Sequence, residues 1–204
     1  YTYDITTGTC SAFPYSANLN KNINNAGNTI KGSRNVTQQG THNTQIYGES
    51  NTVKGLSRNN IIAGNNNEIS NGVNNTYVYG TLAQSTADNS IVLGGNAAGD
   101  NLAERQSIQL MYGTQTTAGG TVDSYLNNVT DSFFVIPDNT IMYFHADVVA
   151  VRVAGTNTGN TGDFASFVER GVVINKSGTL SIARERDAIK SSGTVTDWRP
   201  VANI

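Results

Sequence analysis

Between Asn28 and Gly94 one short phrase of polar and apolar positions recurs along the chain. Asn43, Asn51, Asn59, Asn67 and Asn75 fall at a strict spacing of eight, with Asn28 and Asn35 leading in and Asn89 closing the series after a longer gap. Two positions after the Asn there is usually an apolar residue, at Ile30, Val53, Ile61, Ile69, Tyr77 and Ile91. A Gly ends the phrase, at Gly32, Gly40, Gly48, Gly55, Gly64, Gly72, Gly80 and Gly94. One apolar position in such a phrase does not make the stripe that a helix needs at a period near 3.6. Asn and Gly are poor helix formers, and both tolerate the left-handed backbone of tight corners. The pattern therefore predicts a short strand around each Ile or Val and a turn at the Gly and the Asn after it. Two phrases make a coil of about sixteen residues, and stacked coils make a β-roll. Stacked Asn side chains then hydrogen-bond along the roll.

One aliphatic side chain per phrase contributes roughly 1.5–3 kcal/mol on burial, against about 1–2 kcal/mol of backbone entropy for every residue ordered. That imbalance predicts an interwound homotrimer, in which each chain closes the open side of its neighbours and covers their strand edges.

On either side of the repeat the pattern changes. Residues 1–27 are polar and irregular; Ile5 and Phe13-Pro-Tyr15 suggest a strand or clasp, and Asn22-Ile23 a degenerate first coil. Thr81 to Asp88 reads as an insertion bulging from the roll, and Gly94-Gly95 through Asn101 as a hinge. Beyond it, Ser107–Tyr112, Asp131–Ile136, Thr140–Val153, Phe164–Asn175 and Thr179–Ala183 are rich in Val, Ile, Phe and Tyr and read as strands. Pro137-Asp-Asn139, Gly155 to Gly162 and Lys176-Ser-Gly178 mark turns between them. Met142, Phe144, Ala146, Val148 and Ala150 form one face of the third strand. Tyr143, His145, Asp147, Val149 and Val151 form the other, a mixture that predicts partial cover. Short strands of this kind predict an antiparallel β-sandwich or jelly-roll-like domain. The expected layout is an N-terminal segment (1–27), the Asn/Gly β-roll (28–99) and a β-sandwich (100–204). Trp198 and Pro200 fall in its last strand or tail, and the chain is expected to be a segment of a longer protein.

Composition narrows the function. A net charge of −2 and a pI near 5.6 give no electrostatic footprint for nucleic acid. No apolar run reaches the length of a membrane-spanning helix, so no membrane insertion is expected. Cys10 is the only cysteine, which excludes an intrachain disulfide. A glycosidase needs two carboxylates about 5–10 Å apart across the sugar bond. In the roll only Glu49, Glu68 and Asp88 are available, and Glu49 and Glu68 do not match in phase. His42 and His145 are the only histidines; His145 lies close to Asp147 on one strand face, short of the three or four ligands a metal takes. Gly94-Gly95-Asn-Ala-Ala-Gly99 lacks the Lys-Ser/Thr ending of a phosphate loop. No catalytic, cofactor-binding or metal-binding residue is assigned, and no enzymatic activity or cofactor is expected.

The Asn/Gly repeat is similar to the left-handed β-rolls of trimeric autotransporter adhesin heads and to repeats of bacteriophage fibres. The second half resembles a β-sandwich domain of phage tail-fibre and other virion proteins. That resemblance is carried by Ile136-Pro-Asp-Asn-Thr-Ile141, Phe144-His-Ala-Asp-Val-Val-Ala-Val-Arg152, Phe164-Ala-Ser-Phe-Val-Glu-Arg-Gly171 and Asn175-Lys-Ser-Gly-Thr-Leu180. It implies a trimeric structural protein of the virion surface, a tail or head fibre that holds other virion proteins and meets a glycan or protein of the host surface. Recognition is then expected on the loops Ala154–Gly162 and Thr114–Asp123, since rigid scaffolds display function on loops. A bacterial trimeric surface adhesin and a polysaccharide-cleaving tailspike are the alternatives.

Overall fold

The computed structural model describes residues 2–4, 9–11, 19–20, 25–97, 100–116, 122–154 and 160–192, which are all-β. Contacts divide the chain into two units, Tyr1–Gln115 with Thr121–Phe133, and Thr116–Gly120 with Phe134–Ile204.

In the first unit β1 (Thr2–Asp4) pairs antiparallel with β2 (Thr9–Ser11), followed by β3 (Leu19–Asn20). Long and short strands then alternate: β4 (Thr29–Ser33), β5 (Val36–Thr37), β6 (Gln45–Glu49), β7 (Thr52–Val53), β8 (Ile61–Asn65), β9 (Glu68–Ile69), β10 (Tyr77–Thr81), β11 (Gln84–Ser85) and β12 (Ile91–Gly95). The long strands stack in parallel, Ile30 beside Ile46, Ile46 beside Ile62, Ile62 beside Val78 and Val78 beside Val92. The short strands stack into a second parallel sheet. Single bridges, Ala26 to His42, His42 to Arg58 and Arg58 to Asn74, mark a third side. This is a β-solenoid with a sixteen-residue coil, as the repeat predicts.

Its two octads do different jobs. Asn35, Asn51 and Asn67 are buried at the coil interior, whereas Asn43, Asn59, Asn75 and Asn89 are exposed and hold left-handed corners, with φ between 50° and 56°. The strict spacing of eight is thus one buried ladder and one exposed ladder, interleaved. The apolar interior consists of Ile46, Ile62, Val78 and Val92 on the long strands, Val53 and Ile69 on the short ones, and Val73 and Ala83 elsewhere. After Asn59, Asn75 and Asn89 the inward residue is therefore the third along, and Ile61, Tyr77 and Ile91 point outward. The corner fixes this: the chain turns onto the long strand at the left-handed Asn, and the pleat then alternates sides from the next residues on.

Gly32, Gly48, Gly64 and Gly80 form a column inside the long strands, with φ between 108° and 121°. A Cβ on any of the first three would overlap the carbonyl oxygen of the Gly one coil on, so only glycine permits this approach. The turns come after them, at the left-handed residues Arg34, Ser50, Asn66 and Leu82.

Thr81 to Asp88 is no insertion. It contains β11, in register with Glu68–Ile69, and the coil it belongs to is short, with a spacing of fourteen from Tyr77 to its neighbour Ile91. Ala83 stands where the buried ladder calls for Asn, which hides the repeat from the eye; its N–H still donates to Asn67 Oδ1 at 2.9 Å. Gly94 and Gly95 belong to β12, and buried Asn96 donates to the carbonyls of Thr81 and Leu82, so the expected hinge begins as a locked coil end. Ala98 and Gly99, like Ile5, Phe13-Pro-Tyr15, Asn22-Ile23, Trp198 and Pro200, lie outside the described residues.

The stretch expected as the first sandwich strand instead closes the solenoid: β13 (Gln106–Gln109) pairs antiparallel with β12, and Gln106 Oε1 accepts the Gln84 N–H at 2.8 Å. A parallel sheet ends in a row of unpaired backbone groups, and an antiparallel strand covers it. A small pair, β14 (Tyr112–Gly113) with β15 (Tyr125–Leu126), follows.

The second unit holds one antiparallel sheet, β16 (Thr140–Val151), β17 (Phe164–Lys176) and β18 (Thr179–Ser191), in that order. Ser177 and Gly178 make the hairpin turn with φ of 51° and 78°, the geometry that matches strand twist. Asp131–Ile136 forms no strand, and among the described residues this unit shows the one three-stranded sheet, with no second sheet packed on it, where a sandwich is expected. The face with Phe167, Ala165 and Val173 is the buried one, joined by Val148. Glu169 is buried there too, 3.6 Å from Arg184 Nη1. Asn175 Nδ2 ties the sheet to the Ile136 carbonyl at 2.9 Å.

Candidate binding surfaces

The carboxylates of the roll are each engaged. Glu49 pairs with Arg34 on the coil before it. Glu68 takes Lys54 Nζ at 2.8 Å and Gln84 Nε2 at 2.7 Å, on the other sheet. Asp88 Oδ1 accepts the Asn74 N–H at 2.8 Å.

His42 occupies a bridge position on the third side, between Ala26 and Arg58. His145 Nε2 lies 3.3 Å from Asp147 Oδ1 on the open sheet face, the pair that their spacing suggests. Among the described residues no three His, Cys, Asp or Glu side chains gather to hold a metal. Of the two expected recognition loops, residues 155–159 and 117–121 lie outside the described residues.

Two apolar surfaces stand out, and the pattern of the sequence alone did not single out either. The first is the outer face of the solenoid's long-strand sheet. There Tyr77, Tyr79, Ile91 and Leu93 project from β10 and β12, with Leu93 half open at 52%. Ile61 and Ala63 continue the two rows onto β8. The signal is legible in Ile61-Ile-Ala63, Tyr77-Val-Tyr79 and Ile91-Val-Leu93, since a strand apolar at successive positions shows apolar groups on both faces. Toward β6 the rows turn polar, with Gln45 and Tyr47, whose hydroxyl donates to Gln45 Oε1 at 2.9 Å.

The second is the face of the three-stranded sheet opposite Phe167. Ile141, Tyr143 and Val149 keep 74%, 64% and 73% of their surface open, and Val151 and Ile174 are also exposed. The expectation of partial cover on this face is not met. Register places Ile141 beside Ile174, Tyr143 beside Val172 and Val151 beside Phe164. Between these two apolar ends runs a charged band. His145 pairs across to Arg170 and Arg170 to Glu185, while Asp147 and Asp187 flank Val168. Arg170 Nη2 lies 3.2 Å from Asp187 Oδ2 and 3.4 Å from Glu185 Oε2. A shallow open depression of about 400 Å³ lies here, lined by Tyr143, Arg170, Val172, Ala183 and Glu185 among others. The depression is open to water along its length.

Comparisons of the chain with protein-family models, curated proteins and solved structures give no match.

Proposed function

We propose that this chain is a structural, non-enzymatic fibre component of a bacteriophage virion, in the tail or on the head, which assembles as a homotrimer. It projects from the particle, is held there by other virion proteins and meets a glycan or protein of the host surface. The observation that carries the reading is the solenoid itself. Its coils stack in register, and their interior is filled by their own aliphatic side chains and amide ladders. Such a construction provides stiffness and reach, since every coil adds the same rise and contacts only its neighbours. The resemblance of the repeat to adhesin and phage-fibre rolls points the same way.

The first test is the native mass by light scattering after gel filtration, with three times 21.7 kDa expected. A folded protein of 21.7 kDa overturns the trimer. The second is immunogold labelling of phage particles with antibody to the chain. Gold along projecting fibres is expected; gold on uninfected cells and none on particles replaces the virion reading with the bacterial adhesin.

A further inference from the structure

The outer face of the long-strand sheet sets apolar groups in water on a rod whose interior is already filled. Tyr77 and Ile91 stand in one row and Tyr79 and Leu93 in the next, with exposures from 39% to 52%. Ile61 and Ala63 extend both rows onto β8. Scattered exposed apolar residues are ordinary, but a contiguous patch marks an interaction site. Along the two rows from β4 to β12 the one charged residue is Lys31.

We propose that this face is covered by the same face of two further copies of the chain, set around a three-fold axis parallel to the solenoid axis. The inference rests on the homotrimer reading above and names the surface through which that trimer forms. Three features favour further copies as the occupant. The gradient along the rod is the first. The rows are apolar on β8, β10 and β12, whereas β4 and β6 bring Thr29, Lys31, Gln45 and Tyr47. An axis parallel to the solenoid sets every coil level with the same coil of its neighbours, so apolar meets apolar and polar meets polar. A two-fold axis through the middle of the face instead turns one copy end for end and lays Ile91 of one near Thr29 of the other. Charge is the second. The apolar coils carry none in either row, so three copies oppose no like charges there. Lys31 lies two strands from Ala63, about 10 Å along the stack, and its Nζ sits 5.8 Å from the centre of its own chain's Tyr47 ring. Width is the third. Strands of five residues measure about 17 Å, and a three-sided prism with sides that wide has its faces about 5 Å from the axis. That is half of the distance of about 10 Å at which sheets pack face to face. The middle residues of the strands, Ala63, Tyr79 and Leu93, then point at the axis, and Ile61, Tyr77 and Ile91 lie toward a neighbouring copy.

The test is the full chain with Tyr79→Lys and Leu93→Lys, which puts charges where the three copies converge and leaves the filled interior of each solenoid as it is. Unpaired charges buried together are strongly unfavourable. Light scattering is expected to show a fall from three times 21.7 kDa to 21.7 kDa, with the far-ultraviolet circular dichroism unchanged. A trimer of unchanged mass overturns the assigned face and leaves the fibre reading standing. A wild type that is itself a monomer overturns both. Should the double variant fail to fold, Leu93→Cys in a Cys10→Ser background takes its place, treated with a short trifunctional maleimide. A crosslinked trimer band is expected on a denaturing gel, and a ladder that stops at monomer or dimer overturns the three-fold arrangement on this face.

Discussion

Asn51 is held on all sides. Its Nδ2 donates to Asn35 Oδ1 at 3.0 Å and to the Gly64 carbonyl at 2.8 Å, and its Oδ1 accepts the N–H of Asn67 at 3.1 Å. The amide thus pairs with backbone groups of the next coil. Burying such groups unpaired costs about 1–3 kcal/mol each. Asn51→Ala strands the Gly64 carbonyl and the Asn67 N–H together, so a loss of at least about 2 kcal/mol is expected. A lowered urea midpoint with an unchanged slope is the measurement. Asn59 is the same residue type eight positions later and does something else. It is exposed, sits at φ 56°, and passes one side-chain hydrogen bond to Asn75. Here asparagine serves because its short polar side chain tolerates left-handed backbone. The repeat of Asn was plain in the sequence. The division of labour was not, because one letter serves both the buried amide and the left-handed corner.

At the scale of the element, the two kinds of glycine separate. Gly64 at φ 120° lies in the backbone stack, where a methyl group overlaps the Gly80 carbonyl; Gly72 at φ 75° has nothing within 4 Å of its missing Cβ. Gly72→Ala is therefore expected to cost only the left-handed conformation, about 1–2 kcal/mol, and to remain soluble and folded. Gly64→Ala must push adjacent coils apart and is expected to abolish cooperative thermal unfolding. Circular dichroism melts of the two variants check the contrast. The long strands of the second unit were readable from alternation and from Ser177-Gly178, and the structure extends the last of them to Ser191. Two other segments differ from their reading in what lies beside them. Asp131–Ile136 has strand-like composition, but it starts from the left-handed Asp131 and runs into Pro137, which has no N–H to give a ladder. Ser107–Gln109 is a strand, but the neighbour that claims it is the exposed backbone of β12. Propensity tells that a segment will extend and not what it will lie beside. The open apolar faces were missed for a related reason: alternation shows which residues share a side, while only the assembled layers show which side stays uncovered.

For the whole molecule, the buried and exposed Asn ladders set a rule about length. A chain built from interchangeable octads can grow or shrink by eight. This one cannot, because a shift of eight carries Asn59 from its corner into the place of Asn51 inside, and carries buried Asn67 out to a corner. Removing residues 45–60 joins Thr44 to Ile61 in the original phase, and the product is expected to fold with a shaft shorter by about 4.8 Å, the distance between neighbouring strands. Removing residues 51–58 takes out half as much chain and is expected to give insoluble or non-cooperative protein, read by solubility and by the thermal melt. The solenoid therefore works as a ruler with marks only at every full coil, and duplication or loss in its ancestry leaves a functional rod only when it steps from one mark to the next.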